Sequence, residues 1–121
     1  MVWCNDLFRG PVMPNFPALP RQACQVMGGI CPADYDRDYV DTHLFDIFKK
    51  LQALGHPRLI YLQDVVIEHL HVEAGKADFD QTYVKGGQVG DELAYIAWEE
   101  QRQLAAEALA RYIRQEAACA S

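Results

Sequence analysis

The sequence predicts an α+β fold, in which a small mixed sheet is flanked by helices and a long helix follows at the C-terminal end. Short β-branched and aromatic runs predict strands, and apolar residues at helical spacing predict helices. With 121 residues, half of them hydrophobic, the chain is large enough to form one domain with its own core. The predicted strands are 2–8, 58–63 and 65–71, and the main predicted helices are 38–54 and 91–116.

The composition excludes several classes of function. The net charge is −6 and no basic patch is present, so we expect no nucleic-acid surface. No apolar run approaches the roughly 18 residues of a membrane span, and the first residues do not have the pattern of a signal peptide, so we expect neither. The four cysteines form no CxxC pair, and we interpret them as reduced thiols in a cytoplasmic protein.

The first strand is followed by a proline-rich connection. The predicted strand 2–8 has Asp6 near its end and is stopped by Gly10-Pro11, and prolines then recur at every third residue from Pro11 to Pro20. This spacing predicts an extended, polyproline-like crossing; a PxxP ligand for another domain is the alternative. A short helix is predicted from Pro20 to Met27, ended by the glycine pair that follows.

The helix predicted at 38–54 carries a candidate catalytic residue. Asp38 is its predicted cap, and Gly55 and Pro57 end it. Asp41 lies in the first turn, where a carboxylate is stabilised by the exposed N–H groups and the helix dipole. A carboxylate at a helix start that faces a cleft is also suited to accept a proton from a substrate hydroxyl. The residues alone leave both interpretations open.

Two histidines lie at the end of the predicted strand pair. His69 and His71 project from the same face of a strand, roughly 6.5 to 7 Å apart along the chain. They fit a metal or phosphate site, or else one core histidine bonded to a carbonyl and one solvated histidine. Cys24 and Cys31 have the ligand types to complete a zinc site, but no local spacing supports it.

The C-terminal helix is predicted after a loop or helical turn at 77–85 and the glycines Gly86, Gly87 and Gly90. Its polar positions, which include Arg102 and Arg114, predict a surface face, and the apolar stripe is expected to dock on the sheet or on a second subunit. The predicted stripe consists of Leu93, Ala97, Leu104, Ala108, Leu109, Tyr112 and Ile113.

The order of these motifs resembles one family. The chain contains, in order, a strand with an acid, a proline-rich connection, a short helix ending in Gly-Gly, an aspartate at a helix start and the run DVVIEHLH before Gly-Lys. This order is similar to that of the acceptor-side, C-terminal half of GT-A-type, family-2-like glycosyltransferases. These enzymes are nucleotide-diphospho-sugar transferases. The resemblance implies a partial GT-A fold for residues 1–85, with the 91–116 helix outside it.

The resemblance also implies roles for individual residues. Asp41 would be the catalytic base of an inverting transfer, and His69 would help to hold a divalent metal, Mn²⁺ or Mg²⁺, on the donor diphosphate. The partners implied are a nucleotide-sugar donor and an acceptor sugar. The substrate-binding residues implied are Met27, Gly28, Gly29 and Lys76.

The chain lacks the nucleotide-binding half and the Asp-x-Asp motif of that family, so we expect it to be incompetent as a transferase by itself. Asp34-Tyr35-Asp36 matches the Asp-x-Asp pattern, but it lies after the glycine pair, which is the wrong place for that motif. A non-catalytic remnant or self-associating module is the alternative function, and a small metal-binding protein using His69 and His71 is a third. Because a partial sheet exposes an edge, we expect a homo-oligomer or a partner chain.

Overall fold

A computed structural model describes residues 1–79 and 88–121 of the chain. The α+β class is confirmed, because the described residues form a two-stranded parallel sheet and four α-helices, the last of them long. The predicted loop or turn at 77–85 lies largely outside the described residues, as do Gly86 and Gly87. The elements are β1 (Val2–Asn5), α1 (Arg21–Met27), α2 (Val40–Ala53), β2 (Ile60–Val66), a 3₁₀ turn (Val72–Ala74), α3 (Gln88–Ala97) and α4 (Glu99–Ala120).

The core lies between α2 and α4. Leucine, isoleucine and phenylalanine side chains of α2 pack against a face of α4 that is rich in alanine, and Met1 and Ala23 complete the cluster. The small alanines let the two helices approach closely, so the large side chains of α2 fill the space between them. The buried residues of the two helices are Leu44, Ile47, Phe48 and Leu51 from α2, and Ala106, Leu109 and Ala110 from α4.

The sheet is built around β1. Val2 pairs with Ile60 of the parallel strand β2 and forms an antiparallel bridge with Ala18 on its other side. The proline-rich connection therefore contacts β1 at Ala18, where its backbone forms a strand-like bridge. The indole of Trp3 contacts the rings of Phe45 in α2 and Tyr61 in β2, so α2 covers one face of the sheet.

The prediction of three or four buried strands is wrong for the described residues. Residues 60–66 form one strand that continues through the polar step, with a register irregularity opposite Asn5. Beyond Val66 the chain follows the end of β1 through two separate hydrogen bonds, from Ile67 N–H to Asn5 O and from His69 N–H to Asp6 O. Because nothing in the described residues packs on its outer side, β2 is mostly exposed rather than buried.

The predicted end of α1 is confirmed and the predicted start of α2 is wrong. Gly28 caps α1 with a left-handed φ of 81°, which glycine adopts without strain. Helix α2 begins at Val40 rather than at an Asp38 cap, and Tyr39 precedes it with φ 66°. The preceding turn is held instead by Asp91 of α3, whose buried carboxylate accepts the backbone N–H groups of Asp36, Arg37 and Asp38.

The C-terminal helix is interrupted, contrary to prediction. Trp98 separates α3 from α4, and its indole N–H donates to Asp34 Oδ2 at 2.6 Å. Leu93 and Leu104 of the predicted apolar stripe are more than half exposed. Arg102, predicted at the surface, is 1% exposed.

The buried guanidinium of Arg102 joins α2 to α4. Its Nε donates to Asp46 Oδ2 at 2.7 Å, and its second amino group donates to Glu99. Lys50 Nζ lies 3.0 Å from Asp46 and 2.8 Å from Glu99, which adds a second cation to the same carboxylates. Burial opposes ionisation of Asp46, but the hydrogen bonds from Arg102 and Lys50 outweigh it and hold the pKa of that carboxyl below its usual value.

None of the described helices is both long enough and apolar enough to cross a membrane.

Two leucines of α2 test this packing. Leu51 is fully buried, whereas Leu54 at the helix end is 40% exposed. We expect Leu51→Ala to lower the free energy of unfolding by about 2–5 kcal/mol, because it leaves a cavity between α2 and α4. Leu54→Ala is the matched control and should cost less than about 1 kcal/mol. Urea unfolding of the two variants measures the difference, and equal losses would contradict the assigned core.

Candidate functional site

A cavity of about 650 Å³ opens between the start of α2, the turn after β1 and the segment after β2. We call it the site cavity. Asp41 and His69, which are far apart in the sequence, both line it. The structure thus brings together the two residues to which the sequence assigned chemistry. Other residues that line the site cavity include Phe8, Asn15, Tyr39, Thr42, His71 and Glu73.

Asp41 is a partly buried acid in the first turn of α2. Burial raises the pKa of its carboxyl above the ordinary value of 3.8, and the Coulomb attraction of His69 offsets part of that rise. A carboxylate with a raised pKa at the wall of a cavity is a better proton acceptor than a solvated one.

The opposite wall depends on a second acid, Asp6, which is 2% exposed. Its Oδ1 accepts the backbone N–H groups of Phe8, Arg9 and Gly10 at 2.7–3.1 Å. Its Oδ2 accepts the side-chain amide of Asn15 at 2.7 Å. Burial opposes ionisation, but these hydrogen bonds prevail and lower the pKa of Asp6 to about 2. Asp6 therefore organises the turn after β1 as a permanent anion.

Asn15 connects this anion to His69. The Asn15 amide nitrogen, already donating to Asp6, lies 3.3 Å from His69 Nδ1, and Asp6 Oδ2 lies 3.6 Å from the same ring nitrogen. Because the amide nitrogen has only hydrogens to offer, Nδ1 is the acceptor and the proton of the neutral ring is on Nε2. The edge-to-face contact with Phe16, at a centroid distance of 4.8 Å, fixes the ring further.

His71 lies beside His69, although neither belongs to a strand. Their ring centroids are 5.0 Å apart, and His71 stacks on Phe8 at 5.4 Å with an interplanar angle of 17°. His71 Nδ1 accepts the backbone N–H of Glu73 at 3.1 Å. The predicted same-side arrangement of the histidines is present, but it comes from the bonds to Asp6 and Glu73 rather than from a strand.

The described residues of the site cavity do not form a divalent-metal site by themselves. Both histidines accept hydrogen bonds at Nδ1, so each neutral ring presents an N–H rather than a lone pair at Nε2. Mg²⁺ and Mn²⁺ also prefer several oxygen ligands. Within residues 1–79 and 88–121, no group of three or more His, Cys, Asp or Glu residues is arranged to hold a metal ion.

The remaining predicted site residues lie elsewhere. Met27, Gly28 and Gly29 line a separate cavity of about 400 Å³, which we call the glycine-loop cavity. Lys76 Nζ pairs with Glu68 Oε1 at 3.0 Å and lies 3.4 Å from Leu7 O. Cys31 also lines the glycine-loop cavity, whereas His69 and His71 line the site cavity.

Two residues of these cavities were missed in the sequence. Asn15, between two prolines, gave no signal beyond loop propensity, because its role depends on Asp6 and His69 coming together. His43 follows Asp41 by two positions, so it lies on a different face of α2 and lines the glycine-loop cavity. Its environment depends on Tyr35 and Arg102, and the residues next to it in the sequence contain no pattern that would indicate this.

The two acids of the site cavity should affect stability with opposite signs. Because the pKa of Asp41 is raised, its charged form costs stability as the pH rises, and Asp41→Asn should stabilise the fold at pH 7. That gain should vanish as the pH falls below the ordinary value of 3.8. Asp6→Asn should instead destabilise at pH 7, with the difference disappearing as the pH falls towards about 2.

Urea unfolding of both variants between pH 2 and pH 7 measures these differences. Destabilisation by Asp41→Asn at pH 7 would show that this carboxylate serves the helix start and not the cavity.

No family model, no curated protein and no solved structure matches this chain.

Proposed function

We propose that the chain is the acceptor-side half of a glycosyltransferase-like protein and that the site cavity binds a sugar through its hydroxyl groups. The observation that carries the proposal is the shared position of Asp41 and His69 on one cavity. Asp41 would accept the proton of an acceptor hydroxyl, and the Nε2–H of His69 would donate to an oxygen of the same sugar.

The wall of the site cavity supports a sugar ligand. Phe8 and His71, which stack on each other, supply aromatic surface to the wall, and Asp41 and Thr42 offer hydrogen-bond partners for sugar hydroxyl groups. Arg9 is held beside this wall by its pair with Glu73 at 2.9 Å. Polar groups that are fixed in this way bind a polyhydroxylated ligand at small entropic cost.

Backbone strain concentrates near the same cavity. Among the described non-glycine residues, those with left-handed φ are Leu7, Phe16 and Tyr39, at 56°, 52° and 66°. Leu7 precedes Phe8, Phe16 packs on His69, and Tyr39 lines the cavity. Such conformations persist where function requires them, which supports this region as a binding site.

In this proposal the nucleotide-sugar donor is held by a further half, supplied by a longer chain or a partner chain. The divalent cation implied by the resemblance, Mn²⁺ or Mg²⁺, remains a prediction that would depend on that half for oxygen ligands. The free thiols of all four cysteines support a reducing compartment, and we propose the cytoplasm.

Sugar binding to the isolated chain tests the proposal. We expect glucose or N-acetylglucosamine to shift NMR signals of Thr42 and His71, and the corresponding uridine diphosphate sugars to bind no more tightly, with or without Mn²⁺. Asp41→Asn should weaken sugar binding about fivefold, because an amide oxygen accepts more weakly than a carboxylate. The affinity of the unmodified chain should fall as the pH drops below the raised pKa of Asp41.

Asp64→Asn is the matched control, since Asp64 is an exposed carboxylate on β2 and does not line the site cavity. It should leave sugar binding unchanged. The proposal fails if no sugar shifts the cavity signals, or if Asp41→Asn and Asp64→Asn bind sugar equally well.

A self-associating module is the second candidate function, and the exposure of β2 favours it. Ile60 and Val66 of β2, and Ile67 just after it, are each about half exposed at the edge of the described sheet. Parallel sheets normally have both faces covered, and a two-stranded sheet is only marginally stable by itself. A second copy of the chain would cover this edge and bury the apolar side chains.

Sedimentation of two lysine variants tests self-association. We expect the chain to form a dimer that Val66→Lys dissociates by placing a charge in the strand contact. Leu93→Lys is the matched control on the exposed apolar face of α3 and should leave the dimer intact. A monomer at every concentration would contradict self-association, and dissociation by Leu93→Lys alone would assign the contact to the helix.

A further inference from the structure

The glycine-loop cavity is separate from the site cavity, and its wall combines polar and apolar surface in nearly equal parts. It lies beside α1, α2 and α4 and measures about 400 Å³, a size that accommodates a small organic molecule. The ring of Trp98 forms part of this wall and is held in place by the hydrogen bond from its N–H to Asp34 Oδ2. The aliphatic part of the wall comes from Val26, Met27, Ile47, Leu104, Ala105 and Ala108.

His43 is the buried polar group of this wall, at 5% exposure. Its Nδ1 lies 2.9 Å from the hydroxyl of Tyr35. Its Nε2 makes no hydrogen bond with any described residue. It is nevertheless not among the fully buried polar atoms that lack a partner, so part of its surface is accessible. The free ring nitrogen is therefore accessible from the cavity that His43 lines.

The proton of His43 is placed by the residues behind it. The charge of Arg102 attracts the Tyr35 oxygen, which directs the Tyr35 hydrogen towards His43 Nδ1. Burial, and then the charge of Arg102, lower the pKa of His43 to about 4, so its ring is neutral at pH 7. A neutral ring that accepts at Nδ1 carries its hydrogen on Nε2.

We propose that the glycine-loop cavity binds a small planar aromatic molecule whose carbonyl-type oxygen accepts a hydrogen bond from His43 Nε2–H. The ring of the ligand packs between Trp98 and the aliphatic wall. This is a different ligand class from the sugar that the resemblance implies for Met27, Gly28 and Gly29. The inference stands independently of the proposed sugar site.

The polarity of the cavity selects a neutral acceptor. The buried charge of Arg102 is already paired with Asp46 and Glu99, so it offers little attraction to an anionic ligand. The imidazole N–H is a single neutral donor, and a carbonyl oxygen matches it without the desolvation cost of a carboxylate. An aromatic body gains from burial against the indole and from contact with the Met27 thioether.

A ligand pair tests the proposal on the unmodified chain. Acetophenone and ethylbenzene share a ring and nearly the same shape, but only acetophenone has a carbonyl oxygen. In NMR titrations we expect acetophenone to shift the Trp98 indole and Gly29 amide signals and to bind about fivefold more tightly than ethylbenzene. Equal affinity, or no shift of these signals by acetophenone, would overturn the proposal.

Two alanines of α4 supply matched variants. Ala108→Trp should fill the cavity and abolish binding, whereas Ala117→Trp, at an exposed position of the same helix, should leave binding unchanged. His43→Phe should remove the preference for acetophenone. If His43→Phe does not fold, the ligand pair and the alanine variants still decide, and binding that survives Ala108→Trp would place the ligand elsewhere.

Discussion

The buried guanidinium of Arg102 is the interaction on which the rest of the structure depends. It binds Asp46 of α2 from within α4, and Lys50 balances the same carboxylates. Because removal of one partner from a buried ion pair leaves an uncompensated charge, this cluster favours the observed packing of the two helices. Helix α2 then presents Asp41 to one cavity and His43 to the other, so both candidate sites depend on the same fixed helix.

The site cavity contrasts two acids with opposite environments. Asp6 is surrounded by hydrogen-bond donors and keeps its charge, whereas burial of Asp41 disfavours its charge. The first arrangement is typical of a carboxylate that organises a turn, and the second is typical of one that exchanges a proton. The side-chain amide of Asn15 contacts both Asp6 and His69. The hydrogen bonds of Asp6 therefore also help to fix the position of the His69 imidazole.

Local patterns in the sequence predicted the helices better than the long-range contacts that the helices make. Helix α1, its glycine end and the apolar face of α2 follow from spacing and cap chemistry, as does the position of Asp41 in the first turn. The break at Trp98 and the inward turn of Arg102 were missed, because they depend on Asp34 and Asp46, which are distant in sequence. The convergence of Asp41 and His69 was expected from the resemblance, while the supporting Asn15 and His43 had no local signal.

The pairing of β1 with β2 has a consequence for the order of folding. The amine of Met1 bonds to the carbonyl of Arg58, 57 positions later, and β1 pairs in parallel just beyond it. Apart from the bridge between Val2 and Ala18, β1 therefore has no strand partner until residues 60–66 are available to pair with it. High contact order of this kind slows folding and leaves an apolar strand open to aggregation in the meantime.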